Sequence, residues 1–416
     1  GESDSDREIR KTRRDADIHE HMTEAQGKYS TGNYDAALEE LVKALRLNPR
    51  NPGALMACGD VFRKKGALAN TTEGKVDNFS RAKVQYNAAC KSDPYSFPAH
   101  YKLGITYQAL ADLASSITDA HDYLHEAVKT YVRATTLDAK SFDAHLNLGT
   151  CYFQLDHKAL ALQATHQAIK LNPTSYQAYT NYGLIAEYMG DYDAAISAYK
   201  TSIELESDQP RILLNLASAY MRQGKFRLAM NTLRHTVKVR PNDAEAWLYL
   251  GVCCFRQKYY TDAINAFQNA IRNNPRMPGA YRGLGVICMY QYVSDRTRTD
   301  LRDMALKAWE YSLQLDPNQN DLKELLAVYR AEKAKPAAVA DAKTAPSSTG
   351  TSSSESTPVP AAPEPAAAEA VVVEPVTVEP TDPAQPVGRP IQSPHQPIGP
   401  VTPVVSPETP NNDGWE

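Results

Sequence analysis

The sequence predicts an all-α solenoid of about eight helix hairpins closed by one capping helix, followed by a disordered tail. Three observations predict it. Asn147, Asn181 and Asn215 recur with a step of 34, and so do Ala161, Ala195, Ala229 and Ala263. Gly149 and Gly183 are followed at the same step by Ala217, Gly251 and Gly285, and Pro173 is followed by Ser207, Pro241 and Pro275. The composition then breaks near Lys335: 17 of the 27 prolines fall in the last 82 residues.

Taken in order, residues 1–17 are rich in Asp, Glu, Arg and Lys and read as a charged N-terminal arm, either solvated or a frayed extension of the first helix. Residues 18–319 hold eight repeats, at 18–51, 52–96, 97–141, 142–175, 176–209, 210–243, 244–277 and 278–319. Within 34 positions they carry a large residue at 4, Leu at 7, Gly or Ala at 8, Tyr at 11, Gly at 15, Tyr at 17, Ala at 20, an aromatic at 24, Ala at 27 and Pro at 32. The seventh copy matches best, with Trp247, Leu250, Gly251, Tyr260, Ala263, Phe267, Ala270 and Pro275. Small residues at 8, 20 and 27 let two helices approach, the large ones fill the space between them, and Pro at 32 stops the second helix.

The second and third copies carry 11 extra residues at the turn between their helices, and the eighth carries 8. In the third, "LASSITDAHDY" can continue as helix; in the second, "LANTTEGKVD" reads as loop. All three insertions fall on one edge of the stack. They either decorate a binding surface or lengthen helices that brace one another.

Residues 320–334 read as an amphipathic capping helix with Leu322, Leu325, Leu326 and Tyr329 on its apolar stripe. Residues 335–416 form an acidic Pro/Ala/Val/Glu-rich tail with 3 basic and 10 acidic residues, net −7, and one aromatic, Trp415. Such a stretch buries too little apolar area to offset its chain entropy and is expected to be disordered, as a spacer or as a ligand for another domain.

A repeat of this length and pattern resembles the tetratricopeptide repeat. The resemblance covers about three quarters of the chain. It implies a right-handed superhelix whose first helices line a concave groove, and a role as an interaction scaffold binding a protein or peptide. The implied groove positions are about 2, 5, 6, 9, 12 and 13 of each copy. Position 6 gives Asn147, Asn181 and Asn215. An Asn amide can both donate to and accept from an extended backbone, and the series is similar to the asparagine ladder in the repeats of O-linked N-acetylglucosamine transferases. No transferase domain follows here, so only the peptide-holding role carries over. The series lapses at Tyr249 and Gly283, and the alternative is a merely solvated Asn at this slot.

Charge adds a second clue. The whole chain is net −4, but residues 1–334 are net +3, and Pro210 to Arg302 holds 15 basic and 5 acidic residues, net +10. Arg211, Arg222, Arg256 and Arg282 fall at groove positions 2, 13, 13 and 5, and arginine suits bidentate carboxylate contact. An acidic peptide ligand is the expectation; a basic face turned to solvent is the alternative. The carboxylate-clamp pattern of this family finds Leu146, Thr150, Asn181, Arg211 and Asn215 at its positions, of which two fit, so a chaperone-tail receptor is not expected. The chain's own acidic tail is a further candidate ligand, since tethering raises its effective concentration.

No phosphate loop, HExxH, GxSxG or CxxC motif is present, so the reading is non-enzymatic, with no cofactor, metal or small-molecule substrate. His121 and His125 are four apart but lack a third ligand. The six cysteines fall largely at helix-packing slots, where they serve as small apolar residues. Basic residues without interleaved aromatics argue against nucleic acid, and no stretch approaches the about 20 apolar residues of a membrane helix. The first Met is Met22, so the chain is expected to begin after processing or trimming. A removed signal peptide would place it in the bacterial cell envelope, periplasmic or lipid-anchored. The expected function is a scaffold holding an extended acidic segment; the alternative is a structural assembly factor of an envelope complex acting through the insertions, with the tail as spacer.

Overall fold

Seventeen α-helices, and no strand, occur among the described residues of the computed structural model, which are 4–207 and 209–334. The acidic tail, 335–416, and residues 1–3 of the arm lie outside them. The chain divides after Ser207 into two compact units.

The first unit holds five hairpins: α1 (Asp4–Ser30) with α2 (Tyr34–Leu47), α3 (Pro52–Leu68) with α4 (Thr72–Ser92), α5 (Phe97–Asp112) with α6 (Ile117–Leu137), α7 (Phe142–Gln154) with α8 (Lys158–Leu171), and α9 (Tyr176–Tyr188) with α10 (Tyr192–Leu205). The second holds α11 (Pro210–Arg222) with α12 (Phe226–Val239), α13 (Ala244–Arg256) with α14 (Tyr260–Asn273), α15 (Pro278–Ser294) with α16 (Thr299–Leu315), and a single α17 (Asn320–Ala334). Within each unit every helix packs on its sequence neighbours, and first helices of successive hairpins, such as α5 and α7 or α11 and α13, also touch. This is the stacking of a helix-hairpin solenoid.

Local chemistry sets the helix starts. Asn51, Ser96, Ser141, Ser175 and Asp243 precede first helices, and each side chain accepts a hydrogen bond from the backbone N–H three residues on. Gln209 holds the same place before α11 and makes no such cap. Ser207 also replaces the helix-stopping proline there, so the repeat pattern lapses where the two units divide.

The close approach of the two helices in a hairpin is visible in the core. All eight alanines at position 20, from Ala37 to Ala305, are fully buried. At position 8, a methyl added to Gly59, Gly104, Gly183 or Gly251 would sit 2.5 to 2.8 Å from the ring of Tyr86, Tyr131, Tyr199 or Phe267. Trp309 presses on Gly285 in the same way. The sixth hairpin has Ala217 and Leu233 at these places, trading ring for methyl, and both are fully buried.

The lengthened copies differ in part from expectation. In the second, residues 72–77 are not loop: Thr71 caps α4, and only residues 69–71 join the two helices. In the third, α6 starts at Ile117 after Ser116 caps it. The added residues therefore lengthen both helices of their hairpins: α3, α5 and α15 have 17, 16 and 17 residues where α7 has 13, and α4, α6 and α16 have 21, 21 and 17 where α8 has 14. The long helices brace their neighbours. The Lys83 ammonium of α4 lies 5.3 Å from the ring centre of Tyr123 in α6, and Asn87 donates to Tyr107 Oη at 3.3 Å. The arm is also helical: α1 runs from Asp4, with residues 5–16 exposed.

Buried charge is rare and paired. Glu40, 4% exposed, accepts from Lys28 at 2.6 Å, Lys43 at 2.9 Å and pairs with His21 at 2.9 Å, tying α2 to α1. These partners, Lys28 foremost, hold its carboxyl down at a pKa of about 2. In the second unit Arg282 of α15 is 5% exposed and pairs with Asp321 of α17, which anchors the last helix.

Candidate functional site

The predicted ladder occupies position 6 of the first helices. In the first unit this position reaches back to the first helix of the hairpin before it. Lys102 of α5 pairs with Asp60 of α3 at 2.7 Å. Asn147 of α7 donates to Tyr101 Oη of α5 at 3.4 Å. Asn181 of α9 donates to Thr150 Oγ1 of α7 at 3.3 Å. Three hairpins thus use one slot as a bracket. Asn147 is fully buried and Asn181 half-buried.

In the second unit Asn215 of α11 is fully buried as well. The expectation that these asparagines stand open for a peptide is therefore corrected for Asn147 and Asn215. Neither amide is accessible in this structure: both side chains are buried, each one residue from a buried leucine, Leu148 or Leu216. The lapses in the series have a packing cause: Tyr249 is buried, and a methyl at Gly283 would meet the ring of Phe267 at 2.5 Å.

The arginines divide differently. Arg211 and Arg222 are exposed at the two ends of α11. Eleven residues apart on one helix, they share a face. Arg256 is half-buried at the end of α13, its guanidinium 4.8 Å from the ring centre of Phe226. Arg282, which the groove pattern also included, is sequestered by Asp321 and meets no ligand in this arrangement. Asn147 and Asn181 lie in the first unit, and the arginines with Asn215 in the second.

Beneath the brackets lies a polar layer that the sequence reading missed. Tyr86 donates to Asp60 Oδ1 at 2.6 Å, Tyr131 to Gln108 Oε1 at 2.5 Å and Tyr199 to Glu187 Oε2 at 2.9 Å. Burial pushes all three phenols well above their ordinary range, so they act as neutral donors. The signal was present: a Tyr at position 24 goes with an acceptor at 9 or 12 of the same copy.

The cysteines are free and buried, Cys253 and Cys254 included. Burial raises Cys58 and Cys288 to about 12, which suits packing and not nucleophilic chemistry. Among the described residues, His21, Glu24 and Glu40 bring ligand atoms within 4.8 Å of one another. The ammonium groups of Lys28 and Lys43 already sit on Glu40, so a cation would have to displace both. No described helix is long and apolar enough to cross a membrane.

Sequence models described as "Tetratricopeptide repeat" match residues 142–175, 167–197, 214–278 and 256–290, and one described as "TPR repeat" matches 25–66 and 188–224. The chain belongs to the tetratricopeptide repeat family. Proteins of this family are generally non-enzymatic scaffolds for protein or peptide partners. No curated protein matches the chain. Solved structures of TPR proteins resemble it over part of its length. One from Parabacteroides merdae is 16% identical, covers 70% of this chain and 99% of its own, with a TM-score of 0.44. The C-terminal part of one from Cytophaga hutchinsonii is 18% identical over 63% of this chain and 98% of its own, at 0.48. YrrB, described as "a TPR protein with an unusual peptide-binding site", is 17% identical over 49% of this chain and 99% of its own, at 0.40.

Proposed function

We propose that this TPR protein is a non-enzymatic scaffold that holds an extended acidic segment of a partner protein on the first helices of its second unit. The observation that carries this reading is the charge of residues 210–302, net +10, with Arg211 and Arg222 exposed on one face of α11. Two guanidinium groups about 16.5 Å apart along the helix axis can each take a carboxylate bidentately. Arg256, steadied by Phe226, supplies a third cation. In this reading Asn147 and Asn181 serve recognition indirectly, by fixing one first helix against the next, and Asn215 is a buried residue of α11 itself.

The test is capture of partners from native lysate by the full chain and by its R211E/R222E variant, at low and high salt. The reading expects a partner that is held by the wild-type chain, released by salt and absent from the variant. A partner held equally by both would overturn it.

One observation favours a second reading, a structural assembly factor of a cell-envelope complex. Helices α2, α3 and α4 enclose a cleft of about 570 Å³ whose apolar walls include Leu38, Val42, Leu45 and Phe62. It owes one wall to the lengthened α4, and Val42 is 44% exposed. Loss of the partner from V42D, with R211E/R222E unaffected, would move the function to this edge. The envelope assignment rests on the sequence arguments alone.

A further inference from the structure

We infer that the outer face of α12 is a docking strip for the chain's own acidic segment, residues 364–379. Arg227, Asn231, Arg234 and Lys238 are spaced four, three and four apart, so they lie along one face of α12, and all four are exposed. The helix contains no acidic residue. Arg234 already leans on Asp262 of α14 at 3.0 Å. Arg227 and Lys238, at the two ends of the strip, make no ion pair among the described residues. Arg222 and Arg240 extend the positive field at either end, and from Arg211 to Arg240 the chain has seven basic residues and no acidic one.

The occupant is chosen by charge, spacing and tether. Glu364, Glu369, Glu374 and Glu379 recur every five residues, and no Lys or Arg lies between Lys343 and Arg389. Five residues of chain in the extended polyproline II conformation rise about 15.5 Å. Arg227 and Lys238 are eleven helical residues apart, about 16.5 Å along the axis. Two successive glutamates therefore match the ends of the strip, and the long Arg and Lys stems take up differences in direction. Because the glutamates are evenly spaced, neighbouring registers are equivalent and none has to be selected. The segment is joined to the same unit through Ala334, so its effective concentration at α12 greatly exceeds that of a free peptide. The contact leaves Arg211 and Arg222 on α11 to the partner, and it stands or falls apart from the proposed function.

The test uses zero-length carboxylate–amine cross-linking of the dilute full-length chain, prepared as an equal mixture of isotopically heavy and light protein. Lys238 should link to the 364–379 segment within single chains, giving all-heavy and all-light products. The link should fall about five-fold or more in about 0.5 M salt and in R227E, which leaves every reacting carboxylate and amine in place. Arg227 is exposed, and an unchanged thermal melt of R227E confirms an intact fold. Equal linking to lysines of the first unit, a yield insensitive to salt and to R227E, or mixed heavy–light products, which would make a second copy the occupant, would overturn the inference.

Discussion

Glu40 is a single residue on which two helices depend. Its carboxylate is buried, yet the ammonium groups of Lys28 and Lys43, with a hydrogen bond to His21, keep it ionised down to a pKa of about 2. An unperturbed Glu titrates near 4.5. The folded value is the lower one, so the stabilisation is complete above about 4.5 and is lost as pH falls toward 2. E40Q should cost about 1–3 kcal/mol at neutral pH, and the difference from wild type should shrink in urea melts taken across that window. A gap that stays constant with pH would show that the charge is not what counts. The glycine–ring pairs make a second prediction at this scale. G183A forces a methyl against Tyr199 at 2.6 Å and should cost about 1–3 kcal/mol. Y199L should recover part of that loss, because Ala217 with Leu233 is the same exchange made naturally. Strict additivity in the double-mutant cycle would refute the pairing.

At the scale of the element, the turn inside each standard hairpin needs a left-handed residue. Gly32, Gly190 and Gly224 supply it with φ between 74° and 82°, but Asp156 and Lys258 adopt φ of 61° and 63° at the same slot. A side chain there costs about 1–2 kcal/mol, part of which glycine returns as chain entropy. D156G and K258G should each stabilise their unit by about 0.5–1 kcal/mol, read as a raised thermal midpoint; unchanged or lowered midpoints would contradict it. The helices themselves were legible because alanine, glycine and proline recur at a fixed step, and those residues act through local geometry. The segment after Leu68 was not legible as helix. Its Asn, Thr and Gly suggest a turn, whereas Thr71 spends its hydroxyl on capping α4, and packing against α3 and α5 carries the rest.

Across the whole molecule, the site was legible in its charge and not in its asparagines. Runs of arginine without acid survive folding as surface, since charged groups stay hydrated unless paired. Arg282 is the exception, because Asp321, thirty-nine residues on, reaches it from α17. The asparagine slot could be read only as a position along a helix. Whether it faces solvent or the preceding hairpin depends on how closely first helices stack, which Tyr101 and Thr150 decide from other copies. The division after Ser207 was marked by a missing proline and a missing cap, two weak signals that coincide.

The central claim is that exposed arginines recognise the partner while buried and half-buried asparagines hold the scaffold in register. It is tested most directly by measuring thermal stability and partner capture together for R211E/R222E and for the Asn147/Asn181/Asn215→Ala triple variant. The account predicts that the arginine variant melts like wild type and captures nothing. The asparagine variant should melt several degrees lower, about 1 kcal/mol per lost bracket, yet capture the partner below its melting range. An asparagine variant that melts normally and loses the partner, beside an arginine variant that keeps it, would contradict the account.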